Sequence, residues 1–487
     1  MNSIYFLLAA LPVLSSITVI LCGKGALNGA LVGLVTAILV SLLIPEFAID
    51  SAQYNAGIGT VLILGLSVAL VIIPGQLLNR VLQQQNIIKA LAHYIDCVQL
   101  PKLHKALLLL LGVAPAVESL TGFGVSLFLS VPIIFQLYQG KAAYRTAMLT
   151  MNIMPWGTLG LATVVGAGIA GLSIQQLGIY SSITSMAVFP TLGIACLFAL
   201  GGWQAFRQYA WLAILLGLVF SSLLYVNNRW LWVETAGIFS GLGTLVVGVI
   251  LTKARFEKQE FAGVPLIRAL IPYGLLLMLV ALPRLIPGVW DWLSNLLILE
   301  TEHIRFTPFT SPGFALCITA IVIALSQRTK VSIKSILPTV ARPIVSIIAF
   351  VAMAQIMRES NMLSYVGSTL VGANQTLNVV LSSFLGGVSG FVTGSNVGGN
   401  ALMMPLQQTL SSGADTQLTI LAAIQNSAAG HLVFASIPMI LLMTTIAKDL
   451  SGPQEVPVAS LLKFGLGMSV LIVSVIGVMG IVLATVA

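Results

Sequence analysis

The chain reads as an all-α polytopic membrane protein: about 12 transmembrane helices plus two re-entrant hairpins, laid out as two inverted repeats. Three observations predict this. The first is composition. The 487 residues are 58% hydrophobic and only 7% charged, with a mean hydropathy of +1.03, against about 25% charged in a soluble domain. The second is a pair of polar, glycine-rich breaks inside long apolar stretches, Glu118-Ser119-Leu120-Thr121-Gly122-Phe123-Gly124 and Thr393-Gly394-Ser395-Asn396-Val397-Gly398-Gly399-Asn400. Uncovered backbone polar groups cost several kcal/mol in hydrocarbon, so such breaks are tolerated only where they are buried or line a cavity. The third is that the elements around the two breaks recur in one order along the chain.

The apolar runs that read as spans are 4–22, 26–44, 56–78, 145–170, 180–200, 208–226, 234–252, 265–283, 312–326, 340–357, 417–446 and 461–485. The stretches near 104–138 and 376–410 are too long for one span and too interrupted for two, which predicts re-entrant hairpins. Ahead of each lies an amphipathic piece, 86–97 and 361–371, expected in the membrane interface. Trp203, Trp211, Trp230, Trp232, Trp290 and Trp292 fall at run ends, as an aromatic belt requires. The start of the chain, Met1-Asn2-Ser3 and an apolar run, lacks a basic n-region and reads as a first span instead of a cleaved signal.

The net charge is +8, but the basic residues sit in a few loops, where they set topology and not nucleic-acid binding. Lys and Arg gather in loops such as Arg80/Lys89/Lys102/Lys105 and Lys253/Arg255/Lys258/Arg268. Acidic residues gather in the alternate ones, such as Glu46/Asp50 and Asp291/Glu300/Glu302. This bias predicts both termini outside, the first hairpin opening from the inside and the second from the outside. Asn86 and Asn361, Thr121-Gly122 and Thr393-Gly394, and Asn152 and Asn426 are each 272 to 275 positions apart. Matched elements are separated by an odd number of crossings, so the halves are inverted. Inverted repeats with broken helices near the midplane are the mark of secondary transporters. The boundaries that follow are 1–25, a first helix; 26–202, the first repeat; 203–311, connecting helices; and 312–487, the second repeat.

Several residues could carry chemistry. Glu118 is the acidic residue placed inside an intramembrane segment, and buried carboxyls there mark coupling sites. It could equally stand at the mouth of the hairpin or cap its break. His431 is the histidine within a span. It is a second proton candidate, or else a neutral imidazole bonded on a packed face. The tips Thr121, Gly122, Phe123, Gly124 and Thr393, Gly394, Ser395, Asn396, Asn400 offer N–H groups and hydroxyls. Half-helix N-termini bind carboxylates without Lys or Arg, whereas unwound carbonyls would hold a cation. Glycines there could also serve only tight turns and packing. Asn152, near Pro155, and Asn426 sit in the next, broken spans and would complete a pocket.

Other classes lack their signatures. No Walker P-loop or His/Cys metal cluster is present, and the Gly-x-Ser motifs have no matched His/Asp arrangement, so neither an enzyme nor an ATP-driven pump is expected. No cofactor or metal is called for. Cys22, Cys97, Cys196 and Cys317 are scattered and read as unpaired.

These residues resemble the L-lactate permease family, within the wider group of ion transporters built from inverted repeats. The likeness rests on Glu118 followed by Gly122-Phe123-Gly124, on Asn152 and Pro155, on Thr393-Gly394-Ser395 with Asn400-Ala401-Leu402 and Gln407, and on Asn426 with Pro438. It spans both halves. It implies proton-coupled import of L-lactate or glycolate across the bacterial inner membrane, for which Glu118 and His431 are the proton candidates that the residues themselves offer. It also implies an elevator-type carrier, in which the hairpin units move against static spans that form a homodimer. Phe434 stands where the family's late span has Lys, which marks a divergent member. A sodium-coupled carrier of a related organic anion is the alternative, and a non-transporting membrane component of a complex the third reading.

Overall fold

The computed structural model describes residues 3–486 apart from 123, 153, 257–260, 262, 302–303, 327, 330–331, 371–374, 412–414, 449 and 451–455. Helix dominates, and it begins and breaks where the local chemistry requires. Helices α1 (Ser3–Val19) and α2 (Gly25–Leu43) are folded back on each other at Gly23 and Gly25, both at positive φ, a conformation that side chains resist. Ser15 reaches Thr36 across the pair. Helix α3 (Ser51–Gln84) starts at a capping box, in which the Gln53 N–H donates to Asp50 and the Asp50 N–H to Gln53. Pro74 has no N–H, so the Leu70 carbonyl loses its helical donor. Gly313 packs directly on that carbonyl, where a methyl group would sit 2.0 Å from the oxygen.

After the surface helix α4 (Ile87–Asp96), α5 (Lys102–Leu108) runs through a π-helical turn into α6 (Ala114–Thr121), and α7 (Val125–Leu137) follows the break. Next come α8 (Gly140–Leu149) and α9 (Gly157–Ala170), bent by 44° at the intervening segment. Helices α10 (Ile174–Thr184), α11 (Val188–Trp230) and α12 (Val233–Thr252) complete the first half. Gly202, at φ 59°, folds α11 back on itself: Gly193 meets Ala213, and Gly217 meets Pro190. The connecting part holds α13 (Leu266–Leu285) and α14 (Val289–Leu296).

The chain goes on with α15 (Pro312–Ser326), α16 (Ile333–Glu359), the short α17 (Met362–Leu370), then α18 (Gln375–Thr393) and α19 (Asn396–Leu410). These last two form an antiparallel hairpin, since Asn378 at the start of α18 donates to the Leu410 carbonyl at the end of α19. Helix α20 (Asp415–Leu432) breaks at Val433–Ala435 before α21 (Ile437–Ala447), and α22 (Val458–Val486) ends the described chain. Two ladders of two residues per strand, Val98–Gln99 with Arg255–Phe256 and Leu299–Glu300 with Arg305–Phe306, and an isolated bridge between Phe261 and Val264 are the β-structure among the described residues.

Ten helical stretches among the described residues are long and apolar enough to cross a membrane, or eleven if the bent α8–α9 pair counts as one. The chain is therefore a multi-pass helical membrane protein. The expected number was about twelve plus two hairpins. The difference lies in how the chain folds back: Ile4–Leu43 and Val188–Trp230 are each one apolar stretch but two packed helices. The expected span 180–200 is interrupted, because α10 ends at Thr184 and α11 begins at Val188. All four cysteines are free, as expected.

Helices α1, α2, α3, α15 and α16 pack side by side as a wall. Helices α9 and α19 lie against it, backed by α18 and α20. Every residue from Thr419 to Ser436 is buried. The two surface helices have matching settings: α4 packs between α7 and α13, and α17 between α19 and α1. Each follows an asparagine in the left-handed region, Asn86 at φ 55° and Asn361 at φ 58°.

Candidate functional site

The first glycine-rich break turns on Gly122 and Gly124, at φ 66° and 77°, and the second on Gly394 at 65°. A methyl group on Gly122 would collide with the Thr158 hydroxyl, so only glycine lets the first tip touch α9. Glu118 is fully buried and accepts from the Gly124 N–H at 3.2 Å, the Ser126 N–H at 3.3 Å and the Ser126 hydroxyl at 2.8 Å. Its carboxyl thus covers the N-terminus of α7, where unpaired donors and the helix dipole favour an acid. No ion pair to it occurs among the described residues. The Thr121 hydroxyl is turned back on the Val117 carbonyl. Phe123 lies outside the described residues.

At the second tip, Ser395 caps α19 by accepting from the Gly398 N–H at 3.3 Å. The Thr393 hydroxyl bonds the carbonyls of Ser389 and Ser395. Behind the tip, Asn426 is a hub. Its carbonyl oxygen accepts from Asn396 at 3.3 Å and Asn400 at 2.9 Å, and its amide donates to Thr163 and Ser181 at 3.0 Å each. Asn400 also donates to the Ala162 carbonyl, and Thr163 to that of Pro155. A polar ladder continues outward: Ser382 donates to Gln407, Gln407 to Gln425, and Gln425 to Ser389. The side-chain oxygens of Asn396 and Asn400 are buried without a partner.

The broken spans of the two halves meet at His431. One ring nitrogen bonds the Asn152 side-chain oxygen and the other the Ser185 hydroxyl at 2.9 Å, while the Asn152 amide donates to the His431 carbonyl at 3.2 Å. Pro155 packs on Gly430 close by. The imidazole is therefore held on both nitrogens, by side chains where the packed-face reading expected a backbone carbonyl.

A cavity of about 280 Å³ opens where this unit meets the wall. Tip residues Gly394, Ser395 and Asn396, Thr158 of α9, and Gln76 and Thr339 of the wall contribute its polar lining, and no charged side chain lines it among the described residues. Thr158, Leu159 and Gly160 all have positive φ (51°, 54° and 71°). This left-handed turn costs roughly 1–2 kcal/mol for each non-glycine residue, and strain of this kind gathers at functional sites.

Of the sequence-selected residues, Gly394, Ser395 and Asn396 line the cavity. Asn400, Asn426 and Asn152 stand behind it as buried support, and Gly122 touches it through Thr158. Glu118 and His431 are not among its lining residues, although Glu118 packs against Gly157, which is. Sequence reasoning missed Thr158, Gln76 and Thr339. The signal for two of them was available: Gln76 follows Pro74, and Thr339 precedes Pro343 by one helical turn. No group of three or more metal-ligating side chains occurs among the described residues.

The L-lactate permease family model matches residues 298–487, which hold the second hairpin, the Asn426 hub and His431. The L-lactate permease of Streptococcus iniae is 22% identical over 329 residues, covering 62% of this chain and 68% of that protein.

Proposed function

We propose that this chain is a divergent member of the L-lactate permease family, as the match of its second half and the 22% identical relative support, and that it is a secondary carrier. It moves a small monocarboxylate such as L-lactate or glycolate across the bacterial inner membrane together with a proton. The observation that carries this reading is the cavity beside the second tip. It joins the N-terminus of α19 and the Ser395 and Thr158 hydroxyls, with no charged side chain in its lining among the described residues. Helix N-termini hold carboxylates through N–H groups and the dipole alone, and that suits an anion that must also be released. Its volume, about 280 Å³, lies just below the range of about 300–1,000 Å³ for ligand pockets, which favours a solute of a few heavy atoms.

Two inverted repeats are supported by the paired left-handed asparagines, the paired tip glycines and the matching seats of α4 and α17. In this reading the hairpin-bearing unit slides as one body against the wall, and the wall forms a homodimer. Thr121, Gly122, Thr393, Gly394, Ser395, Asn396 and Asn400 bind the anion or hold its binders, with Asn152 and Asn426 behind them. Glu118 carries the proton, as a buried carboxyl without a cationic partner among the described residues, and His431 is the second proton group.

One observation favours a sodium-coupled carrier of a related anion: the unpartnered oxygens of Asn396 and Asn400 are acceptors of the kind a hard cation takes. Uptake of labelled L-lactate into proteoliposomes separates the two. An inward proton gradient without sodium should drive accumulation that an uncoupler collapses. Accumulation only with sodium would select the alternative. Glu118→Gln should abolish pH-driven accumulation and leave exchange of preloaded substrate, and normal pH dependence in that variant would remove Glu118 from coupling.

A further inference from the structure

We propose that Gln76 and the backbone carbonyl of Thr339, both on the wall, form the far half of the substrate site and select solutes bearing a 2-hydroxyl group. The inference rests on the carrier reading and deepens it, by assigning specificity to residues outside the hairpins.

The two sides of the cavity differ in chemistry. On the hairpin side are donors. The Ser395 oxygen accepts from the Gly398 N–H, which leaves its own proton free. The first N–H groups of α19 have no acceptor within the helix. The Thr158 hydroxyl has no hydrogen-bond partner among the described residues. Such donors suit an anionic group.

On the wall side the balance reverses. Thr339 and Pro343 both line the cavity. Pro343 has no N–H, so the Thr339 carbonyl, four residues before it, loses its helical donor. The Thr339 hydroxyl is spent on the Ile336 carbonyl. Gln76, half-buried in α3 just past Pro74, offers an amide that can donate and accept, with no partner among the described residues. Unpaired polar groups inside apolar helices are costly unless water or a solute pairs with them.

A solute that satisfies both sides carries a carboxylate at one end and, close to it, a group that donates and accepts. A 2-hydroxy monocarboxylate does this: its hydroxyl proton goes to the Thr339 carbonyl and its oxygen accepts from Gln76. Propionate has the same carbon skeleton as lactate and leaves both wall groups unpaired. A site built to bond a hydroxyl rejects the analogue lacking it far more strongly than a missing methylene is rejected.

The test is displacement of labelled L-lactate from purified, monodisperse protein by L-lactate, glycolate and propionate. The wild type should prefer L-lactate over propionate at least tenfold. Gln76→Leu should bring that ratio below threefold while propionate still competes. Pro343→Ala restores an N–H to the Thr339 carbonyl and should shift the ratio the same way, with Gln76 untouched. A wild-type ratio near one, or a tenfold ratio that survives both substitutions, overturns the wall assignment and leaves the carrier reading standing. Failure of the folded wild type to bind any of the three acids overturns the carrier reading and this inference with it.

Discussion

Asn152 and His431 hold each other through two hydrogen bonds although 279 residues separate them in the chain. Each sits at the break of a broken span, one in each half. The amide side chain meets both the imidazole and the carbonyl of the same residue, so it fixes the ring and the backbone together. The bond joins the halves at the point where neither helix can satisfy its own backbone.

This pairing predicts strong coupling. Asn152→Ala and His431→Ala should each lower the thermal midpoint of the purified protein, and the double variant should lose much less than the two losses combined. Residues in one hydrogen-bonded network typically show interaction energies of about 0.5–3 kcal/mol. Additive losses would mean that the contact contributes nothing to stability.

Asn426→Leu keeps the shape and removes the hub. Four bonded groups lose their partner in a region with no exposed residue from Thr419 to Ser436. A buried polar group left unpaired costs about 1–3 kcal/mol, so this variant should be among the least stable. Scanning fluorimetry with a serine substitution at the same site for comparison would measure it, and a midpoint within a degree of wild type would refute the hub.

Gly390 tests packing without polarity. A methyl group there would lie 1.9 Å from the Ala429 carbonyl oxygen, whereas at Gly274 it would meet nothing within 4 Å. Gly390→Ala should force α18 from α20 at a cost of about 1–3 kcal/mol or more. Gly274→Ala, in a helix interior, should be neutral or stabilising by roughly 0.5–1 kcal/mol. Melting curves of the pair settle both in one experiment.

Arg284 and Glu234 tie α13 to the start of α12 at 2.5 Å, with the guanidinium 4.1 Å from the centre of the Trp290 ring and 5.4 Å from that of Trp232. Arg284→Gln leaves a carboxylate with little water around it, and breaking buried pairs costs about 3–5 kcal/mol, less here because a cavity opens beside the pair. Arg284→Lys should rescue only part of the loss, since an ammonium cannot stack as a planar guanidinium does. Full recovery of the thermal midpoint by Lys would show that charge alone matters.

The membrane class, the two breaks and the partnership of broken spans were legible in the sequence because each is a local contrast. Gly122 and Gly394 stand out as glycines beside hydroxyls inside apolar runs. The turns at Gly23 and Gly202 were legible too, because the expected spans break between 22 and 26 and between 200 and 208, and each gap holds the glycine at positive φ. Glu118 could be found but not its neighbours: nothing in the chain states that its carboxyl meets the N-terminus of α7. Gln76 and Thr339 were missed for a related reason. They look like ordinary polar residues on long helices until the cavity puts them opposite Ser395, a relation between separate helices that no local pattern in the chain records.

The Asn426 hub has a consequence for how the chain is made. Thr163 and Ser181 enter the membrane early in synthesis, and the amide that joins them is translated some 250 residues later. Until then the first half carries part of a polar cluster with its partner missing, in a solvent that offers none. Insertion must therefore end in a late assembly step, in which the second half closes over the first. Fragments truncated before α20 should remain bound to the insertion machinery or be degraded, whatever the quality of their individual spans.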